Sequence, residues 1–190
     1  EIIEEARLDV FHYFDKTFFE RWDNDVKQVL MMMCPFETFD IEMAEMVTGN
    51  GQIPRIMEEA IEIGSFLVYH GKGVYSYRTE LTSYLKWKAS ILYSKNEICE
   101  IYKRGGLYYE IRDDIENSLK YYKLAGDENK VSWLLVKNAE KHPGMAHFYE
   151  TRNYYFQLPE EDILKSVTLI SGICMLHSLL LQVEESERWY

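Results

Sequence analysis

The sequence predicts a mainly α-helical fold: a winged-helix module with one β-hairpin, followed by α-helical hairpins that begin an α-solenoid. Three observations predict it. Phe66-Leu67-Val68-Tyr69-His70, Gly71-Lys72-Gly73 and Val74-Tyr75-Ser76-Tyr77 form two β-branched and aromatic runs around a glycine turn, which is a hairpin signal. Three short helical patterns precede that hairpin and a long one follows it. After Ser94 the pattern changes to paired helices with short connections, among them Leu124-Ala125-Gly126-Asp127.

Each element has a local reason. From about Glu5 to Trp22, Leu8, Phe11, Phe14, Phe18 and Trp22 recur at three- and four-residue spacing and give one apolar face. Asp23-Asn24 supplies a cap for a second helix striped by Val26, Val29, Leu30 and Met33, which Pro35 ends because proline disfavours helix in the residue before it. Asp40 caps a short helix through Val47, stopped by Thr48-Gly49-Asn50-Gly51. Ile53, Ile56, Met57, Ala60 and Ile63 stripe a fourth helix, closed by Gly64-Ser65. Beyond the hairpin, Thr79 begins a long helix with Leu81, Leu85, Ala89 and Leu92 on one face. Three short helices plus a wing make a relative of the helix-turn-helix.

Downstream, Ile98, Ile101 and Tyr102 lead to Gly105-Gly106, a pair that costs a helix about 1 kcal/mol per glycine and so marks close packing or a kink. Ile115, Leu119 and Tyr122 form the next helix, Val131, Leu134 and Leu135 another, broken before His142-Pro143-Gly144. Phe148, Tyr149, Tyr155 and Phe156 indicate one more before Leu158-Pro159. From Glu160 a helix is expected to about Ile170 and a second to about Arg188. No strict period of about 34 residues appears, so these are irregular hairpins.

Composition narrows the function. In 190 residues, 47% hydrophobic and 15% aromatic content support a packed core rather than disorder. No apolar run approaches the roughly 18 residues of a membrane span; Ile170 to Val183 is interrupted by Ser171, Gly172, His177 and Ser178. The net charge of −11, from 21 basic and 32 acidic side chains, opposes a polyanionic partner. Cys34, Cys99 and Cys174 are far apart and odd in number, consistent with the reducing cytoplasm. Glu1 is followed by no basic leader or cleavage site, and Tyr190 directly follows an amphipathic stretch, so both ends are expected to lie inside a longer protein.

Residues that carry chemistry are few. A DNA-reading winged helix places basic and amide side chains on its third main helix, but there Arg55 faces Glu58, Glu59 and Glu62. Gly49-Asn50-Gly51 and Gly71-Lys72-Gly73 lack the spacing of a phosphate loop. His142 and His147 are five apart, which a metal pair on one helix face does not tolerate, so no metal is expected. Glu58 with Glu62, Glu160-Glu161-Asp162, and Glu184-Glu185 with Glu187 read as solvated faces and helix starts rather than acid–base pairs. Tyr108-Tyr109, Tyr121-Tyr122 and Tyr154-Tyr155-Phe156 read as packing at hairpin seams, with a ligand groove as the alternative. With no paired nucleophile and base, no catalytic residue is assigned.

Taken in order, several runs resemble the middle of the MalT-like regulators, large ATP-binding LuxR-type transcription factors of the STAND class. These are Tyr13-Phe14-Asp15-Lys16-Thr17-Phe18-Phe19 with Val26 to Met33; Ile61-Glu62-Ile63-Gly64-Ser65-Phe66-Leu67; and Tyr77-Arg78-Thr79-Glu80-Leu81 with Tyr84-Leu85. Ala125-Gly126-Asp127 and Leu158-Pro159 match the family's later turn and its junction into a tetratricopeptide-like sensor. The resemblance implies a connecting helix from an ATPase region over 1–22, a winged helix over 23–93, a helical arm over 94–158, and the start of the sensor over 159–190. The family's histidine after the tyrosine, which in related ATPases reaches nucleotide phosphate, is Arg78 here. The resemblance therefore makes Arg78 a candidate phosphate contact, since a guanidinium can hold phosphate bidentately. A surface or helix-start residue is the alternative.

The resemblance further implies a non-catalytic signal-transmission segment that couples a sensor solenoid to a nucleotide-binding domain of the same chain. ATP or ADP would bind outside these residues, which hold no cofactor of their own. DNA would be met only through a helix-turn-helix elsewhere in the protein. An inducer or regulatory protein would act on the solenoid, and the whole protein would self-associate, with no membrane involved. The alternative is a free-standing α-solenoid adaptor for protein partners.

Overall fold

The computed structural model describes residues 2–63, 67–142 and 148–190, with the side chains of 2–7, 63 and 149 left aside. The Gly64-Ser65 stop, the first hairpin residue Phe66, the Pro143-Gly144 break and His147 lie outside the described residues. Packing divides the chain into two compact units, Glu1–Arg104 and Gly105–Tyr190.

In the first unit, helix α1 (Ile2–Thr17) ends earlier than its stripe suggests. A 3-10 turn, Phe19–Arg21, follows and swings Phe19 and Trp22 into the core. Helix α2 (Asn24–Met33) is the centre of this unit, packed by α3 (Ile41–Thr48), α4 (Ile53–Ile63) and α5 (Thr79–Leu92). Its expected stripe of Val26, Val29, Leu30 and Met33 is buried, and Met31 and Met32 are buried as well because neighbours cover more than one side. Each such side chain contributes roughly 1.5–3 kcal/mol. Asp23 occupies the cap position of α2 without making a side-chain cap bond, whereas the Asp40 carboxylate takes the Met43 N–H at 2.7 Å and starts α3.

The sheet holds one strand more than the hairpin predicted from sequence. Strands β1 (Phe39–Asp40), β2 (Leu67–Tyr69) and β3 (Val74–Tyr77) lie in the order β1-β3-β2, all antiparallel. Phe39 pairs with Tyr75, and Tyr75 with Tyr69. The wing turn needs its glycines: Gly71, Lys72 and Gly73 all have positive φ, a conformation that side chains other than glycine's rarely adopt. The Tyr77 hydroxyl donates to the Leu30 carbonyl at 3.2 Å and ties the wing to α2. Helix, strand, two helices and two strands in that order are the winged-helix arrangement.

The second unit takes in the end of α6 (Lys95–Ile111), then α7 (Ile115–Leu124), α8 (Glu128–Lys141), α9 (Phe148–Phe156), α10 (Glu160–Ile163), α11 (Val167–Leu179) and α12 (Val183–Trp189). Asp114 and Asp127 cap α7 and α8 by accepting the N–H of Asn117 and of Lys130. The expected helix from Glu160 to Ile170 is two elements instead. The Ser166 hydroxyl takes the Leu169 N–H at 3.4 Å and begins a new helix, so α10 stops at Ile163. The core is built from Leu119, Val131, Leu135, Tyr155, Leu169 and Ile173, among others.

Two glycines here are close-packing positions. Helix α6 runs unbroken through Gly105-Gly106, and a Cβ at Gly106 would lie 3.0 Å from the Tyr122 ring. A Cβ at Gly172 would lie 2.7 Å from Tyr155, whose ring is fully buried. Gly172→Ala gains about 1 kcal/mol of helix propensity but overpacks a core site at a cost of about 1–3 kcal/mol. The denaturant midpoint of the second unit is therefore expected to fall; an unchanged or raised midpoint would show that Tyr155 can move aside.

Candidate functional site

The winged helix presents α4 as its reading helix. Ile53, Ile56, Met57 and Ala60 face inward and are buried, which leaves Arg55, Glu58, Ile61 and Glu62 exposed and Glu59 half-buried. Among the described residues none of these three carboxylates takes a hydrogen bond or ion pair. Their placement is unfavourable in itself. Glu62, in the last turn, opposes the helix dipole, and Glu58 and Glu62 repel at i,i+4, each effect costing about a few tenths of a kcal/mol. Phosphate would be repelled by the same charges.

Beside α4, the wing carries a row of rings that sequence reading did not single out. Phe39 and Tyr75 lie 6.0 Å apart and Tyr75 and Tyr69 5.2 Å apart, so one row crosses all three strands. Exposure rises along it from buried Phe39 to Tyr69, which is 57% exposed. The Tyr69 hydroxyl accepts the Gly73 N–H at 3.2 Å, which fixes its ring against the turn. Burial, then Tyr69, then the charge of Glu58 push the Tyr75 phenol up, so Glu58 lies near this row. The alternation in Val74-Tyr75-Ser76-Tyr77 was the signal that could have found it.

Arg78 stands between β3 and α5, at the N-cap position, with extended backbone. Its side chain is exposed and has no hydrogen-bond or ion-pair partner among the described residues. Its carbonyl accepts the Thr82 N–H at 3.0 Å and the Thr82 hydroxyl at 3.2 Å. The guanidinium is thus unengaged and sits at a helix start, a geometry that suits an anion.

A polar anchor joins α1 to α5. Tyr84 is fully buried, with Phe14 stacked on it at 5.5 Å and Phe11 and Phe19 edge-on, each at 5.8 Å. Its hydroxyl donates to the Asp15 carboxylate, and Lys88 reaches both Asp15 oxygens at 2.7 and 2.8 Å. Lys88 also lies over the Phe19 ring at 5.0 Å. Sequence reading missed this triad, although Tyr84 and Lys88 at i,i+4 share a helix face.

In the second unit a surface cleft of about 270 Å³ has Asp113, Asp114 and Glu116 among its walls, with Lys137 and Lys141. Lys141 pairs with Asp113 and holds its carboxyl below the usual range. The Ser118 hydroxyl in this cleft is committed to the Gly106 carbonyl at 3.0 Å. The tyrosines at the seams pack: Tyr108, Tyr121, Tyr122 and Tyr155 are buried, Tyr109 stacks on Tyr121 at 5.5 Å, and the Tyr122 hydroxyl donates to Glu110 at 2.9 Å. Phe156, by contrast, is exposed. The three cysteines are free, and burial pushes the Cys34 thiol up to about 12. Among the described residues no group of three or more His, Cys, Asp or Glu side chains is placed to hold a metal ion, and no helix is long and apolar enough to cross a membrane.

The fold and this surface define a winged-helix module with an acidic reading helix, joined to a unit of helical hairpins. No protein-family model matches the chain, and no curated protein matches it.

The Asp15 triad has a pH signature. Burial raises the Asp15 pKa, but the hydrogen bonds from Lys88 and Tyr84 and the Lys88 charge outweigh it, leaving the group below its ordinary value of 3.8. A depressed carboxylate contributes stability above its unfolded pKa and loses it as pH falls through the folded value. Asp15→Asn is therefore expected to destabilise the first unit by about 1–3 kcal/mol at pH 7. That deficit should shrink progressively below pH 3.8. A pH-independent difference between the two proteins would show that the charge of Asp15 contributes nothing.

Proposed function

We propose that this chain is a non-catalytic signal-transmission segment of an ATP-dependent, LuxR-type transcriptional regulator of the MalT-like kind. The winged helix docks onto protein, and the hairpin unit couples a sensor solenoid to the nucleotide-binding domain. The observation that carries this reading is the acidic, unpaired reading helix. Glu58, Glu59 and Glu62 against Arg55 make α4 a poor match to phosphate, so the winged helix is suited to a protein partner. The ordered resemblance of the sequence supplies the rest. Coupling of this kind needs differential contacts in two states, which a module between a motor and a sensor can provide. The DNA contacts of such a regulator belong to a helix-turn-helix outside these residues, and its ATP or ADP to a domain outside them. It acts in the cytoplasm, answers to an inducer or regulatory protein, and self-associates as a whole.

A second reading, an α-solenoid adaptor that binds proteins without nucleotide, is favoured by the exposed apolar turn Leu179, Leu180, Leu181 and Val183. The two differ in what the encoding reading frame contains. The first expects a phosphate-loop lysine on the amino-terminal side and a helix-turn-helix on the carboxyl-terminal side; a frame lacking both would overturn it. It also expects no salt-sensitive change in fluorescence anisotropy when the 190-residue chain is titrated into labelled duplex DNA at low ionic strength. Tight binding that collapses with added salt would make α4 a DNA reader after all.

Arg78 serves in this reading as a contact to nucleotide phosphate. In the ATPase-containing protein, Arg78→Ala is expected to weaken ATP binding about tenfold or more while leaving the circular dichroism spectrum intact. Unchanged nucleotide affinity would return Arg78 to the role of a helix-start residue.

A further inference from the structure

The exposed face of α4 breaks a local rule without any compensation inside the described residues. Glu62 sits in the last turn, at the unfavourable end of the helix dipole, Glu58 and Glu62 repel, and no lysine among the described residues pairs with them. Uncompensated local conflicts of this kind are expected at functional surfaces. Several carboxylates elsewhere are engaged by cations, Asp15 with Lys88, Glu110 with Lys130, Glu128 with Lys123, Asp162 with Lys165 and Glu160 with Arg188. The same face also offers apolar surface, since Ile61 is 42% exposed between Glu58 and Glu62. The ring row of the wing meets this helix at Tyr75, which lies near Glu58, and ends one ring further on in the exposed, fixed Tyr69.

We propose that the face formed by Glu58, Ile61 and Glu62 of α4 with Tyr69 and Tyr75 of the wing is a docking surface for a basic, arginine-bearing segment of a protein partner. Charge complementarity selects the occupant. A guanidinium can lie flat on an exposed tyrosine ring while its edge donates to a carboxylate, and arginine's planar fork suits both contacts better than a lysine ammonium. Ile61 gives the aliphatic stem of such a residue an apolar floor. The cations nearest in sequence are Arg55, one turn before Glu58 on α4, and Lys72 at the wing tip, and neither forms an ion pair with Glu58 or Glu62 among the described residues. This proposal deepens the protein-docking reading above and rests on it.

The test uses the whole 190-residue chain and a labelled, arginine-rich helical peptide, with a lysine-for-arginine copy and duplex DNA as parallel probes. The arginine peptide is expected to bind, to bind more tightly than the lysine copy, and to weaken with salt. Glu58→Gln with Glu62→Gln, and separately Tyr69→Ala, should each weaken it about three- to tenfold. Glu184→Gln with Glu187→Gln, a matched charge change on α12, should leave it unchanged. Glu58→Lys with Glu62→Lys should abolish capture, because lysines at these positions repel the arginines of the peptide. Equal loss from the α12 pair would overturn the proposal, since it would mean that net charge alone drives binding. No peptide binding, or binding indifferent to the α4 and Tyr69 changes, would overturn it as well. Either result with DNA still unbound leaves the protein-docking reading standing, whereas DNA capture through α4 overturns both.

Discussion

Burying a tyrosine ring obliges the fold to give its hydroxyl an acceptor, and this constraint organises both units. A buried polar group left unpaired costs as much as a large core truncation can. Tyr84 meets the demand through Asp15, which in turn must be charged and is held so by Lys88. Three side chains on two helices are thereby placed relative to one another, and Phe11, Phe14 and Phe19 close around them. Tyr77 meets it through the Leu30 carbonyl and fixes the wing on α2. Tyr122 meets it through Glu110, which leaves its ring lying against Gly106. The aromatic content of the chain is thus a set of positional constraints as well as apolar mass.

The winged helix then poses a question of surface rather than of core. Its interior is conventional, with α2 enclosed by three helices and a three-stranded sheet. What distinguishes it is the exposed side of α4, where negative charge stands at positions that the helix itself disfavours. A fold that elsewhere serves to read phosphate-lined grooves here shows a surface that phosphate avoids. The ring row that ends at Tyr69 adds flat aromatic surface, reaching the helix where Tyr75 lies near Glu58. A protein partner with positive charge fits that combination, and a polyanion does not.

The hairpin unit shows a different economy. Three of its helices, α7, α8 and α11, start on Asp114, Asp127 and Ser166, so local capping sets where these begin. Its ion pairs lie mostly near the surface and contribute little individually. Close approach at Gly106 and Gly172 lets a buried ring sit directly against a neighbouring helix, which is how a thin layer of helices gains a dense core. The cleft beside Asp113 and Lys141 balances opposite charges across a short distance and keeps no polar group in reserve at Ser118.

How much of this was legible in the residues depended on the range of the interaction. The cap at Asp40, the turn at Ala125-Gly126-Asp127, the stripe Ile53, Ile56, Met57 and Ala60, the glycine wing turn and the acidity of α4 are local features. Each follows from spacings of four residues or fewer, so the sequence alone determined a mainly helical chain with a winged-helix module and an acidic reading helix. Strand β1 was not legible, because two residues carry no periodicity and Phe39 becomes a strand only by pairing with Tyr75. The break at Ser166 looked like continuous helix until its hydroxyl was seen to take the Leu169 N–H. The Asp15–Tyr84–Lys88 anchor, the ring row across the sheet and the fit of Tyr155 over Gly172 join residues far apart in the chain. Only tertiary structure decided those, because their free energy arises from distant groups brought into contact and leaves no trace in local spacing.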